Sequence, residues 1–173
     1  FLTSAPSFFQ VNTAQAEALV KLALEMAEVE EGSFVADVFA GAGMFSLPLA
    51  EAGADVVAIE LSGSAVRDLR RNADANGLFV DAVCDDAVGA LDQLEGTDVV
   101  LVDPPRSGLE KRVLEGVCQA APARVVYVSC DPQTMARDAA RFANQGYRLV
   151  RTCPVDLFPQ TYHVETVNLF VPV

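Results

Sequence analysis

Among the residues of this chain able to do chemistry, Cys130 in Ser129-Cys130-Asp131-Pro132 stands out by position. A cysteine is ordinarily a small apolar filler, and Cys84, Cys118 and Cys153, each set among apolar residues, read that way. Cys130 instead falls where an apolar strand pattern ends and a helix begins, with Asp131 as cap and Pro132 in the first turn. Partial positive charge at a helix start favours the thiolate, the nucleophilic form; Asp131 opposes it, so only some activation is expected. Glu165 is the second unusual group. Period-two alternation over 164–171 puts it on the face of Val167, Leu169 and Val171. A carboxylate there is paired or partly desolvated, and desolvation raises its pKa toward that of a general base. Alternatively it bends to water beside His163, the single histidine. His163 reads as a turn residue near the site, and without it no metal-ligand set exists.

Four more segments end in polar groups. Asp37-Val38-Phe39-Ala40-Gly41-Ala42-Gly43 contains a G-x-G turn that lets backbone approach a ligand, and equally serves as a tight strand-to-helix turn. Ser46 stands where a dinucleotide fingerprint has its third glycine. Glu60 ends the next strand and could accept hydrogen bonds from two ribose hydroxyls, which suits NAD or S-adenosylmethionine. Asp86 could meet an adenine amino group or simply cap a turn. In Asp103-Pro104-Pro105-Arg106 two prolines remove two backbone donors and stiffen the loop that aims Asp103. Amino-group methyltransferases carry an aromatic after Pro-Pro; here Arg106 takes that place.

Positioning these groups requires strands that alternate with helices. The pattern predicts strands at 34–39, 55–60, 79–84, 98–103, 124–130, 148–156 and 164–171. Helices are expected at 13–29, 44–51, 62–76, 87–94, 110–119 and 132–144. Such alternation implies an α/β domain with a seven-stranded, mostly parallel sheet covered by helices on both faces. The last two strands lack an intervening helix and should pair antiparallel at one edge. Gly77 is the expected stop of one helix, Asp131-Pro132 the start of another. In open sheets of this kind ligands bind beyond the carboxyl ends of the strands, where the marked residues would converge.

At 173 residues the chain fits one domain with a proper core. No run approaches the roughly 20 apolar residues of a membrane span, and no signal-peptide pattern is visible. Four cysteines without C-x-x-C spacing suggest neither zinc nor an iron–sulfur cluster, and read as reduced thiols of a cytoplasmic protein. The chain starts at Phe1, in a plausible mid-segment, and is expected to be part of a longer protein. Its net charge of −12 is uneven: −13 over residues 1–100 and +1 over the rest. So acidic a chain does not draw in a polyanion by its overall field; if nucleic acid is the substrate, the second half or another domain must hold it.

Taken together, Phe8-Phe9-Gln10-Val11-Asn12, Asp37 to Gly43, Asp103 to Arg106, Ser129 to Pro132, and Phe158-Pro159 followed by His163-Val164-Glu165 resemble the RNA (uracil-5-)-methyltransferase family, which includes tRNA and 23S rRNA enzymes. The resemblance runs nearly end to end. It implies a Rossmann-like methyltransferase fold, S-adenosylmethionine as cofactor and an RNA substrate. By the same carry-over Gln10, Phe39, Glu60 and Asp103 line the cofactor pocket, and Gln10 and Asp103 are near enough to the base to help select uracil; the strand-end reading adds Gly41 and Asp86 to the cofactor residues and Arg106 to those expected to meet the substrate. Cys130 would add to C6 of uracil and Glu165 would take the C5 proton. The chain departs from the family at Met44, often Asn, and at Asp131, more usually Asn. The small N-terminal RNA-binding barrel of full-length relatives and the domain after it are missing, so this piece is expected to bind cofactor, as a monomer, yet turn over RNA poorly.

Three other readings remain. An RNA cytosine-5 methyltransferase shares the C6-addition chemistry, but many place a second cysteine after proline where this chain has Arg106. A nicotinamide-dependent oxidoreductase would use the Gly41–Gly43 turn and Glu60, and leaves Cys130, Glu165 and the Pro-Pro loop unexplained. A non-catalytic cofactor-binding module predicts that replacing Cys130 changes nothing.

Overall fold

The computed structural model describes residues 12–161 and 164–173. Its centre is a seven-stranded sheet: β1 (Phe34–Val38), β2 (Asp55–Ile59), β3 (Asp81–Val83), β4 (Val99–Val102), β5 (Arg124–Ser129), β6 (Tyr147–Val155) and β7 (Glu165–Pro172). The order across the sheet is β3-β2-β1-β4-β5-β7-β6. The first five are mutually parallel, and β7 runs antiparallel between β5 and β6. The expected antiparallel edge is therefore present. From β1 the chain steps outward to β2 and β3, then returns to lay β4 and β5 on the other side, which opens a crevice at the carboxyl ends of β1 and β4.

Helices α1 (Thr13–Ala27), α2 (Ser46–Glu51), α3 (Gly63–Asn76), α4 (Lys111–Gln119) and α5 (Pro132–Asn144) cover the sheet. Two apolar clusters result, one on each face. Val35, Ala58, Leu101, Val126 and Val167 point to the first, and Ala36, Ile59, Val102, Tyr127 and Phe170 to the second. Burial on both faces explains why the central strands read as almost unbroken apolar runs. Gly77 closes α3 with φ 65°, and the Asp131 side chain caps α5, as the sequence suggested.

Three expectations fail locally. No α-helix spans 87–94: Asp86 Oδ1 accepts from the N–H groups of Val88 (2.8 Å) and Gly89 (2.7 Å), folding a turn, and only a 3-10 turn at Leu91–Leu94 follows. Strand β3 is shorter than 79–84, because Phe79 is 84% exposed and outside the ladder. Cys84, read as a buried filler, is also exposed, since it lies just past the end of that shortened strand.

Candidate active site

The carboxyl ends of the parallel strands surround a cavity of about 520 Å³. It is lined by the β1 loop from Phe39 to Ala42 with Met44 and Phe45, by Glu60 after β2, by Asp103 to Arg106 after β4, and by Cys130 after β5. Phe158 and Glu165 complete it. That volume falls within the range of small-molecule sites, which run from about 300 to about 1,000 Å³.

The wall formed by β1 and β2 is a backbone construction. Phe39 has φ 70°, an uncommon left-handed conformation for a bulky side chain, held while the N–H groups of Phe39 and Ala40 both donate to Ile59 O (2.9 and 3.0 Å). At Gly41, φ is 56° and nothing lies within 4 Å of where a Cβ would stand, so the turn presents bare backbone to the cavity. At Gly43 an added Cβ would meet Leu47 Cδ1 at 2.4 Å, so this glycine serves close packing of α2. Glu60 accepts from Gly41 N–H (3.0 Å) and Ser62 N–H (2.7 Å), one on each oxygen. A carboxylate has about four acceptor sites, so Glu60 still has capacity for ligand hydroxyls. Beneath the loop, Asp37 is fully buried and its Oδ2 accepts from the Ser46 hydroxyl, while Oδ1 has no hydrogen-bond partner among the described residues. Ser46, which departs from the dinucleotide fingerprint, thus anchors the turn from below. Burial pushes Asp37 up to about 7, against the Ser46 hydrogen bonds.

The opposite wall carries the reactive groups. Because β7 is antiparallel to β5, it begins at the rim where β5 ends. The register pairs Ser129 with Thr166, so the next positions outward are Cys130 and Glu165. Glu165 is 5% exposed, and desolvation holds its pKa above the ordinary range, with the Arg106 charge pulling the other way. Asp103 is pushed up to about 8 by desolvation, then by the neighbouring Glu165 and Asp37 charges. Arg106 is exposed at the mouth.

Cys130 differs from expectation. Its pKa is raised, first by desolvation, then by Glu165 and Asp103; its backbone hydrogen bond and Arg106 only partly offset this. The helix start gives little help because its donors are already committed. Asp131 Oδ1 accepts from the N–H groups of Gln133 (2.8 Å) and Thr134 (2.9 Å).

Of the sequence-predicted residues, Phe39, Gly41, Glu60, Asp103, Arg106, Cys130 and Glu165 come together on this cavity. Asp86 does not line it and caps the turn after β3. Gln10 and His163 lie outside the described residues. Two supporting residues were missed. Asn72 is buried in α3 and its amide donates to Ala42 O (3.2 Å), tethering the β1 loop. Phe158 lines the cavity from a segment whose preceding carbonyl, that of Leu157, accepts from the Asn12 amide (3.2 Å). An amide among the apolar positions of α3 was the available signal for the first.

The chain is similar to known RNA methyltransferases. The family model described as tRNA (Uracil-5-)-methyltransferase matches residues 90–171, and the TRM5/TYW2 methyltransferase domain matches residues 14–106. A Streptococcus mutans protein named as an uncharacterized RNA methyltransferase is 41% identical over 99% of this chain and 39% of its own length. One of the same description from Gloeobacter violaceus is 46% identical over 93% of this chain and 35% of its own. The chain thus spans about two fifths of the curated relatives it matches. Among solved structures, Pyrococcus abyssi tRNA (uracil-54, C5)-methyltransferase, in complex with S-adenosyl-L-homocysteine, superposes with a TM-score of 0.84 at 35% identity, over 95% of this chain and 40% of that one. TrmN from Thermus thermophilus, at 22% identity and a TM-score of 0.75, shares the fold. The chain belongs to the RNA (uracil-5-)-methyltransferase family of S-adenosylmethionine-dependent enzymes.

Proposed function

We propose that this chain is the catalytic domain of an enzyme that transfers a methyl group from S-adenosylmethionine to C5 of a uracil in tRNA or rRNA. The observation that carries the reading is the convergence, on one cavity, of Cys130 and Glu165 from neighbouring strand ends with the Phe39–Gly41–Glu60 wall. Glu60 and the open backbone at Gly41 suit the ribose and methionine parts of the cofactor. Asp103 and Glu165 put two carboxyl groups on the cavity wall, each with its pKa raised first by desolvation, and a bound sulfonium would favour their charged form. Bound there, the cofactor supplies an electrophilic methyl group.

The chain's own groups do the rest. Cys130 Sγ, as thiolate, adds to C6 of the uracil; the C5–C6 π electrons shift toward the C4 carbonyl, leaving C5 nucleophilic. After C5 has taken the methyl group it still carries its proton. Glu165 removes that proton, and the C6–S bond breaks to return the thiolate. A low-dielectric position with a raised pKa suits Glu165 to this work. The base must be unpaired or flipped out, because C6 is inaccessible within a stack. Asp103 stands where it can help select uracil, and Arg106 tempers the negative charge around Cys130. Gln10 is assigned to both cofactor and base by resemblance alone, and Asp86 to the cofactor only by its place after the third strand.

The relatives' greater length and the net charge of −12 suit a protein whose RNA grip lies mainly outside this chain. A tritium-release assay with 5-tritiated uracil RNA and 5-tritiated cytosine RNA, using the full-length protein, tests the reading. Release from uracil RNA alone is expected; release from cytosine RNA alone, or from neither, would overturn it.

A further inference from the structure

Asp138, in the middle of α5, lies outside the cavity and is 0% exposed. An isolated buried carboxylate is costly, so its surroundings must account for it. Its Oδ2 accepts from the Leu109 N–H (2.8 Å) and the Tyr127 hydroxyl (3.0 Å). Its Oδ1 accepts from Arg137 Nε (3.0 Å) and Arg141 Nη1 (3.1 Å), with Arg137 Nη2 at 2.9 Å. The same arginines reach the loop after β4: Arg137 Nη2 donates to Ser107 O (2.7 Å) and Arg141 Nη1 to Leu109 O (3.3 Å). Gly108, at φ 72°, lets the loop close on this cluster, since an added Cβ would lie 2.4 Å from Asp138 Oδ2 and 2.5 Å from Arg137 Nη2. One carboxylate thus joins three pieces: the loop that carries Asp103 and Arg106, the strand that ends at Cys130, and the helix that follows it.

We infer that Asp138 is a positioning residue, which with Arg137 and Arg141 clamps the 104–109 loop against α5 and β5 and so keeps the Arg106 cation in front of Cys130. The inference rests on the reading of Cys130 as the reacting thiol. Arg106 is exposed and lines the same cavity, and its charge acts on Cys130, Glu165 and Asp131. A loop loosened from α5 would let that charge drift into solvent, and the thiolate would lose its stabilising cation.

Site-resolved alkylation of Cys130 by iodoacetamide over a pH series reads this directly, with exposed Cys84 as the reference in the same sample. It needs neither RNA nor cofactor, so it stands or falls separately from methyl transfer. Asp138→Asn and Arg137→Ala should each slow Cys130 alkylation roughly threefold below the thiol's pKa and move its pH profile upward, with Cys84 unchanged. In an Arg106→Ala background neither substitution should have any further effect, because no cation remains to be misplaced. Arg137 is partly exposed, so its variant keeps the test usable if Asp138→Asn does not melt cooperatively. Unaltered Cys130 profiles in cooperatively melting variants, or equal slowing with and without Arg106, would overturn the inference.

Discussion

The two walls of the cavity are built on opposite principles. On the β1–β2 side the functional features are backbone: a left-handed Phe39, bare peptide at Gly41, and a Glu60 whose oxygens already hold two N–H groups. On the β4–β5–β7 side they are side chains whose titration is displaced upward: Asp103, Cys130 and Glu165, with Arg106 as the cation at the mouth. The two family matches meet across the second wall: the TRM5/TYW2 domain matches residues 14–106 and the uracil-5 model residues 90–171, so Asp103 and Arg106 fall in both while Cys130 and Glu165 fall only in the uracil-5 match. The difference teaches that one wall is built to present fixed backbone and the other to hold titratable side chains; on the proposed function the first would hold the cofactor and the second would act on the base. Substitutions on one wall should therefore affect binding, and on the other, chemistry.

The sharpest division is expected from Cys130→Ala. It removes the nucleophile, so methyl transfer should fall below detection while S-adenosylhomocysteine affinity, measured by calorimetry, stays within about twofold. A large loss of cofactor affinity would erase the distinction between the walls. Glu165→Gln should come next, lowering tritium release by roughly 10²- to 10⁴-fold, the usual scale of a lost general base. Because addition precedes proton removal, the covalent RNA adduct should accumulate in this variant. Its disappearance would assign Glu165 to an earlier step.

Glu60→Ala tests the other wall. It removes the acceptor of Gly41 and Ser62 N–H and should weaken S-adenosylhomocysteine binding roughly tenfold, about 1.4 kcal/mol. Its rate at saturating cofactor should change far less. Smallest is a stability effect shared between the walls. Asp37 and Asp103 titrate near about 7 and about 8 in the folded chain, above their ordinary value of 3.8. The folded state therefore holds their protons more tightly than the unfolded state does. Stability from this source is complete below the ordinary carboxylate range and is lost as pH rises through about 7 and about 8. Thermal melts should show Tm falling by a few degrees over that interval, and Asp37→Asn or Asp103→Asn should flatten the fall. An unchanged slope in both variants would remove the idea of a proton-rich site.

Much of this was legible in the residues. Seven strands in a mostly parallel sheet follow from alternating apolar runs and helices, and the convergence of polar strand ends follows from the topology of a parallel sheet, whereas the strand order appears only in the fold. Cys130 and Glu165, 35 positions apart, were expected to share a pocket through the family resemblance; the fold brings them together because β7 runs antiparallel to β5 and begins where β5 stops. What the sequence hid depends on contacts across space. Segment 87–94 has helical spacing and Asp86 makes the hydrogen bonds of a cap, yet Gly89, a poor helix former, falls in what would be the first turn, and only a 3-10 turn at Leu91–Leu94 forms. The helix start does little to activate Cys130, because Asp131 occupies its donors and desolvation, followed by the Glu165 and Asp103 charges across the cavity, raises the thiol's pKa. Asp138 is invisible in a pattern of charges along α5; only folding brings Leu109 and Tyr127 to it.

The central claim is that the sulfur of Cys130 bonds to C6 of a uracil held in this cavity. Incubating full-length protein with S-adenosylmethionine and RNA bearing 5-fluorouridine, which has no C5 proton to release, should trap that bond. Peptide mass spectrometry is expected to find the modified nucleotide on Cys130 and on no other cysteine. An adduct on Cys84, Cys118 or Cys153, or turnover of ordinary uracil RNA with no adduct at all, would contradict the account.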